Sequence, residues 1–208
     1  MNNYDNFKVF SSSDEAEIWA KKYYREWIAV SRHGVTHCEN SVHNLFFALT
    51  GNMHEIYNNV LRFLNRGLKI YGTPDTNGYL CEIVSMSDEI SKHRVPENIT
   101  VFRYTRKRHF CELFDSKEPQ VGDIGTDPSF VSTTLVRDLL KEFALQHRYN
   151  CLLKIYVPKG SAGIYINWGD LSTLNEQEIL FPPNTTFKII RKSHNIFKPY
   201  YECLLLQE

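Results

Sequence analysis

The dominant spacing of apolar residues changes near residue 96, and that change constrains the fold more than any other feature. Before it, apolar side chains recur at the three-to-four-residue period of a helix with one buried face. After it, they alternate as in half-buried strands. Helices first and strands later argue for an α+β fold, not alternating βαβ units.

Within the helical part, Ser11-Ser12-Ser13-Asp14 offers N-cap candidates, and Glu15 and Glu17 suit a first turn. Ile18, Trp19, Tyr23 and Ile28 recur at roughly helical spacing to about residue 30. Further helices are predicted over residues 39–49, with Val42, Leu45, Phe46 and Leu49 on one face, and over residues 53–65, with Ile56, Val60, Leu61 and Leu64 together. Gly51 and Gly67 stop them. A breaker cluster at residues 72–78 precedes a fourth helix over 79–91. Beyond the Pro96-Glu97-Asn98 turn, strands are predicted over 99–105, 129–135, 151–157, 163–166, 176–181, 185–191 and 200–206. One short helix is predicted over 137–146, and Gly122, Gly125 and Pro128 punctuate a loop.

Lys+Arg and Asp+Glu are equal at 24 each, so charge points to neither nucleic acid nor a membrane surface as a partner. No apolar run approaches a membrane span. The five cysteines are odd in number and show no CxxC pair, which predicts free thiols. Met1-Asn2-Asn3-Tyr4-Asp5 is polar and shows no signal peptide. No phosphate-loop or dinucleotide-fold glycine fingerprint is present, so a nucleotide would need another device. His33, His37 and Cys38 lack a fourth ligand at a metal-site spacing, and His54-Glu55 lacks the second histidine of a zinc-protease helix, so no metal is expected. Arg106-Lys107-Arg108-His109 reads as a solvated basic loop, with an adenylate end or an acidic surface as alternative partners.

Three strand segments carry candidate chemistry. In Val101-Phe102-Arg103-Tyr104, alternation puts Arg103 on the side of Val101. A guanidinium there needs a partner unless it reaches water at the strand end, and its planar fork suits a diphosphate. In Phe130-Val131-Ser132-Thr133-Thr134, Ser132 and Thr134 share a face, although strand hydroxyls often serve only β-propensity. In Glu176-Gln177-Glu178, the i,i+2 spacing puts both carboxylates on one strand face, where mutual repulsion raises one pKa. Ile179 and Phe181 would anchor that strand, leaving the carboxylates on an open face beside Gly169, Asp170, Ser172 and Thr173. A solvated surface pair is the ordinary alternative.

Taken in order, strand-Arg, strand-Ser-Thr-Thr and strand-Glu-x-Glu resemble the arginine–serine–glutamate class of bacterial ADP-ribosylating toxins. The likeness extends through Tyr57-Asn58-Asn59-Val60-Leu61-Arg62, Val157-Pro158-Lys159-Gly160, Ala162-Gly163-Ile164-Tyr165-Ile166 and the stretch from Glu176 to Ile189. It covers about residues 14–206. The resemblance implies one domain of N-terminal helices, about residues 11–95, packed on a mixed or antiparallel two-sheet β core, about residues 96–208. It implies NAD⁺ as co-substrate and a mono-ADP-ribosyltransferase acting on arginine of a host protein, with actin a frequent target. A side NAD⁺ glycohydrolase activity, a separate translocation component, a monomeric state, and secretion or delivery into the host cytosol follow from it as well. Arg103, Tyr104, Ser132, Phe143, Arg148 and Glu178 would bind NAD⁺, while Glu178, Glu176 and Ser132 would carry the chemistry. Glu178 would hold the nicotinamide-ribose 2′-hydroxyl and stabilise an oxocarbenium-like transition state, with Ser132 fixing its rotamer. Relatives that modify asparagine carry Gln at the place of Glu176, so this residue points to arginine.

Departures from the pattern are Thr134 where Ser is commoner, Ser129 in place of an NAD⁺-binding asparagine, and Gln146 for a basic residue that Arg148 would replace. Thr173 stands where some relatives carry an aromatic, a role that Trp168 would take over. A glycohydrolase on the same fold, a non-catalytic docking module of a toxin complex and a phage enzyme acting on host proteins are the rival readings.

Overall fold

The computed structural model describes residues 4–28, 42–49, 53–67, 76–167, 176–193 and 199–207. Helix α1 spans Ser13–Tyr23, α2 Val42–Ala48, α3 His54–Asn65 and α4 Thr76–Lys92. Strand β1 is Ile99–Thr105, followed by helix α5 at Lys107–Glu112, strands β2 at Ile124–Asp127 and β3 at Val131–Thr134, and helix α6 at Lys141–Gln146. Strands β4 (Cys151–Val157), β5 (Ile164–Ile166), β6 (Glu178–Phe181), β7 (Thr185–Lys192) and β8 (Tyr200–Leu206) complete it. The α+β expectation holds.

Helix α1 starts where Ser12 caps it. The Ser12 hydroxyl accepts from Glu15 N at 3.2 Å, and the Glu15 carboxylate accepts from Ser11 N and Oγ, each at 2.9 Å. Its buried face is Ala16, Trp19 and Ala20, whereas Ile18, expected on the apolar stripe, is 71% exposed. The aromatic residues set the rotation of the helix, because Trp19 and Tyr24 bury more surface than one isoleucine.

The strands form one sheet in the order β2-β7-β8-β4-β1-β3-β6-β5. Every pair is antiparallel except β4 with β8. The two sheets expected from sequence are therefore joined: β1 and β3 meet at Phe102↔Thr134. Two apolar clusters sandwich the β3–β6–β5 end. Val131, Tyr165, Ile179 and Phe181 pack with Trp19 of α1 and with Ile99, Val101 and Ile155. Ile164, Ile166 and Leu180 pack with Phe46 of α2, Tyr57 and Val60 of α3, and Ile83, Met86 and Ile90 of α4. With both faces covered, Glu178-Ile179-Leu180-Phe181 is buried throughout.

Two elements differ from expectation. The loop around Gly125 contains β2, and the basic run continues into α5, whose first turn is capped by Asn150 Oδ1 accepting from Lys107 N at 2.8 Å. Gly125 is required there, because a Cβ would lie 2.6 Å from Leu113 O and 2.7 Å from the Phe114 ring. Cys81, Cys111, Cys151 and Cys203 are free thiols, and Cys38 lies outside the described residues. Among the described residues, no helix is long and apolar enough to cross a membrane.

Candidate active site

Strand alternation on β1 sends Val101 into the core and leaves Arg103 at its margin, opposite Leu153. Its counter-charge is Asp127 of β2, with Nη1 3.4 Å from Oδ2 and side-chain exposures of 17% and 3%. The two groups form an ion pair without the alignment of a hydrogen bond, and Arg103 Nη1 is buried without a hydrogen-bond partner. The other Asp127 oxygen accepts from Ser129 N at 3.0 Å and Ser129 Oγ at 2.5 Å. Ser129 Oγ in turn accepts from Arg62 Nη2 of α3 at 3.1 Å. Burial lowers the Arg62 pKa, and the Asp127 charge opposes that. One carboxylate thus serves two guanidiniums, one of which retains an unspent buried donor. Such a surplus suits an anion with several oxygens. Arg62, Arg103 and Asp127 line a cavity of about 750 Å³, whose wall continues through Arg66, Arg108 and Phe114.

The carboxylates come from β6 and the residue pair before it. The expected i,i+2 strand geometry does not hold. Gln177 has φ 47, in the left-handed region, and β6 begins only at Glu178, so the pleat does not relate Glu176 to Glu178. β3 holds this turn in place. Thr134 Oγ1 donates to Glu176 O at 2.7 Å, Leu135 N donates to Gln177 O at 3.0 Å, and Thr133 Oγ1 donates to Ile179 O at 2.7 Å. The threonine departure at residue 134 keeps the hydroxyl this contact needs.

The carboxylate face is also not fully open: Ile166 and Leu180 on it pack against helices α2, α3 and α4, while Ser132 stays exposed. Glu178 pairs with Thr134 on one side and Ile166 on the other and is 5% exposed. Ser132, two residues along β3 from Thr134, is exposed and shares the strand face of the Glu178 carboxyl. Burial and then the Glu176 charge push the Glu178 pKa up to about 8, while the Ser132 hydroxyl and the Arg103 charge oppose the rise. Glu176 is half-buried, and burial raises its pKa while His54 opposes the rise.

The structure therefore brings Ser132, Glu176 and Glu178 together, with Arg103 within electrostatic reach. Arg103 also reaches the cavity, which neither the serine nor the carboxylates line. Tyr104 donates to Arg137 O at 3.4 Å, and Arg148 is exposed with φ 55. Neither lines the cavity. Phe143 lies on α6, but its side chain is outside the described residues, as are Trp168, Gly169, Asp170, Ser172, Thr173, His33 and His37. No group of three or more His, Cys, Asp or Glu among the described residues could hold a metal ion. Asp127 and the engagement of Arg62 were not foreseen. The available signal was the Asn58 to Arg62 stretch of α3, where Asn58 Oδ1 also accepts from Phe130 N at 3.0 Å.

Helices covering a strand end that carries Arg, Ser-Thr-Thr and Glu-x-Glu are the arrangement that the resemblance implied for an ADP-ribosyltransferase. The family model described as ADP-ribosyltransferase exoenzyme matches residues 16–202, and the chain belongs to that family. The fold is similar to that of the C3 exoenzyme of Clostridium limosum, at TM-score 0.71 and 23% identity over 98% of each chain. It is also similar to the ADP-ribosylating toxin BECa of a C. perfringens binary enterotoxin, solved with NADH. That match has TM-score 0.74 and 17% identity, and covers 97% of this chain but 50% of BECa. C3stau2 of S. aureus, solved with NAD, matches at TM-score 0.61 and 15% identity over 98% of this chain and all of that one (100%). A comparison with curated protein sequences found no match.

Proposed function

We propose that the chain transfers ADP-ribose from NAD⁺ to an arginine of a host protein, with NAD⁺ hydrolysis as a side reaction. The observation that carries this reading is Glu178. It is a buried carboxyl on the strand face of Ser132, with a second acidic residue beside it and an arginine with an unspent donor nearby. Arg62 and Arg103 would grip the diphosphate, supplying the anion site that the missing glycine fingerprint would otherwise provide. Glu178 would hold the 2′-hydroxyl of the nicotinamide ribose. As the C1′–N bond breaks, its electron pair leaves with nicotinamide, and the positive charge developing on the ribose lies next to the Glu178 carboxylate. A guanidinium stays protonated at neutral pH and is a poor nucleophile. Glu176 would orient it and accept the proton it loses as its nitrogen bonds to C1′. Support for NAD⁺ comes from the family and from relatives solved with NAD or NADH. Secretion or delivery into a host cell fits the exoenzyme family.

The test separates the two carboxylates. With agmatine as arginine acceptor, Glu178→Gln should reduce both transfer and nicotinamide release by about a hundredfold or more. Glu176→Gln should remove transfer and largely spare nicotinamide release, since water as acceptor needs no carboxylate to orient it. A parallel fall of both activities in Glu176→Gln would overturn the arginine assignment. Near-normal nicotinamide release from Glu178→Gln would overturn the role of Glu178.

A further inference from the structure

We propose that Tyr165 and Gln177 form a latch that sets the spacing of the Glu176 and Glu178 carboxylates and thereby couples bond cleavage to transfer. The inference rests on the arginine-transfer reading above and assigns positioning residues to it. Gln177 adopts φ 47, a left-handed region that is strained for a non-glycine residue unless its surroundings hold it. Those surroundings are specific. The Tyr165 hydroxyl donates to Gln177 Oε1 at 2.6 Å, and both residues are buried. The Gln177 carbonyl accepts from Leu135 N at 3.0 Å.

The tyrosine end of the latch is rigid. Tyr165 pairs with Ile179 across β5 and β6, and its carbonyl accepts from Trp27 Nε1 at 2.9 Å. Its ring lies 6.2 Å from that of Tyr24 within the larger apolar cluster. The polar tip of Gln177 is thus pinned to the core, and its backbone is bent away from strand geometry. That bend brings Glu176 O to Thr134 Oγ1. In a regular strand the pleat would fix the distance between residues i and i+2. Here the left-handed turn fixes it, and the Tyr165–Gln177 hydrogen bond holds the turn. Glu178 stays in place by strand pairing on both sides, so loosening the latch moves Glu176 alone.

The experiment uses Tyr165→Phe, which removes one hydroxyl and keeps the ring, and Gln177→Gly, which removes the amide and also the cost of the left-handed backbone. Agmatine modification, nicotinamide release and the pH dependence of thermal unfolding are measured on the full chain. Both variants should lose transfer by between about 10- and 100-fold, as a displacement of about an ångström does. Nicotinamide release should stay within about twofold, with KM for NAD⁺ unchanged. The charged groups acting on Glu178 are Glu176 and Arg103, so as Glu176 swings away the Glu178 titration should move to lower pH. A parallel fall of both activities, or transfer at the wild-type rate in both variants, overturns the latch. If the wild type neither consumes NAD⁺ nor modifies agmatine, the functional reading fails on its own. The pH profile of unfolding then decides the latch: displacement of the Glu178 titration in Tyr165→Phe upholds it, and an unmoved profile overturns it.

Discussion

Replacing Glu178 by Gln should make the protein more stable, and the gain should depend on pH. The carboxyl is 5% exposed, and burial together with the Glu176 charge raises its pKa from 4.5 to about 8. Each pH unit of that rise is worth about 1.4 kcal/mol, so an ionised Glu178 costs the folded state roughly 4–5 kcal/mol. The sign follows from proton counting. Between 4.5 and about 8 the folded chain holds a proton that the unfolded chain has released, so stability falls as pH rises through this window and levels off above it. Gln keeps the shape, can still meet Ser132, and carries no charge. The two proteins should therefore melt together at about pH 3, where Glu178 is protonated in both states. At about pH 9 the variant should melt roughly 10 °C higher, taking about 2–4 °C per kcal/mol for a chain of this size. Differential scanning calorimetry across that range, without nucleotide, measures the difference. A gap that stays constant from about pH 5 to about pH 9 refutes the reasoning, because a solvated carboxyl has no such window.

Other outcomes follow from the same packing. Asp127→Asn leaves Arg62 and Arg103 partly buried without their counter-charge, so it should destabilise the chain by on the order of 3 kcal/mol. NAD⁺ should then stabilise this variant more than the wild type in a thermal shift assay, because the diphosphate would restore the missing charge. An equal NAD⁺-induced shift in both proteins counts against an anion site between the two arginines. Gly125→Ala puts a Cβ 2.6 Å from the backbone oxygen of Leu113 and should cost about 1–3 kcal/mol in denaturant unfolding. Wild-type stability in that variant would mean that α5 yields freely.

Sequence periodicity served well for the bounds of elements with one apolar face, although Ile18 of α1 and Ile56 and Leu64 of α3, expected on the buried faces, are exposed. It placed His54–Asn65 and Cys151–Val157 within a residue of their observed ends. It failed where the buried face is not apolar. Strand β2 buries Gly125 and Asp127 and leaves Ile124 58% exposed, the inverse of a half-buried strand, so the segment reads as loop. Helix α5 failed for another reason: its N-cap acceptor comes from Asn150, far along the chain, and no local signal announces it. At the site, the order of Arg103, Ser132 and Glu178 could be read because each sits on or beside a recognisable strand. The counter-charge Asp127 could not, since it belongs to the inverted strand. The Glu-x-Glu geometry was misjudged because glutamine gives no warning of a left-handed backbone. That conformation is imposed from outside, by Tyr165 and by β3.

The site gathers places where the fold is under local cost. Glu178 is a carboxylate in a covered face, Gln177 holds a left-handed backbone, and Arg103 keeps a buried donor unspent. Each is opposed by an anchor in a paired strand, so the cost does not relax by rearrangement. The costs also have opposite polarity. The carboxylate end gains from a neighbouring positive charge, and the arginine end gains from negative oxygens. On the proposed function one ligand answers both, because NAD⁺ carries its pyridinium charge on one ribose and its diphosphate on the far side of it. A neutral nucleoside would relieve neither end, and an isolated diphosphate would relieve only the arginines. The separation of the two ends, fixed by the Phe102↔Thr134 seam between β1 and β3, would then select for the intact dinucleotide over either half.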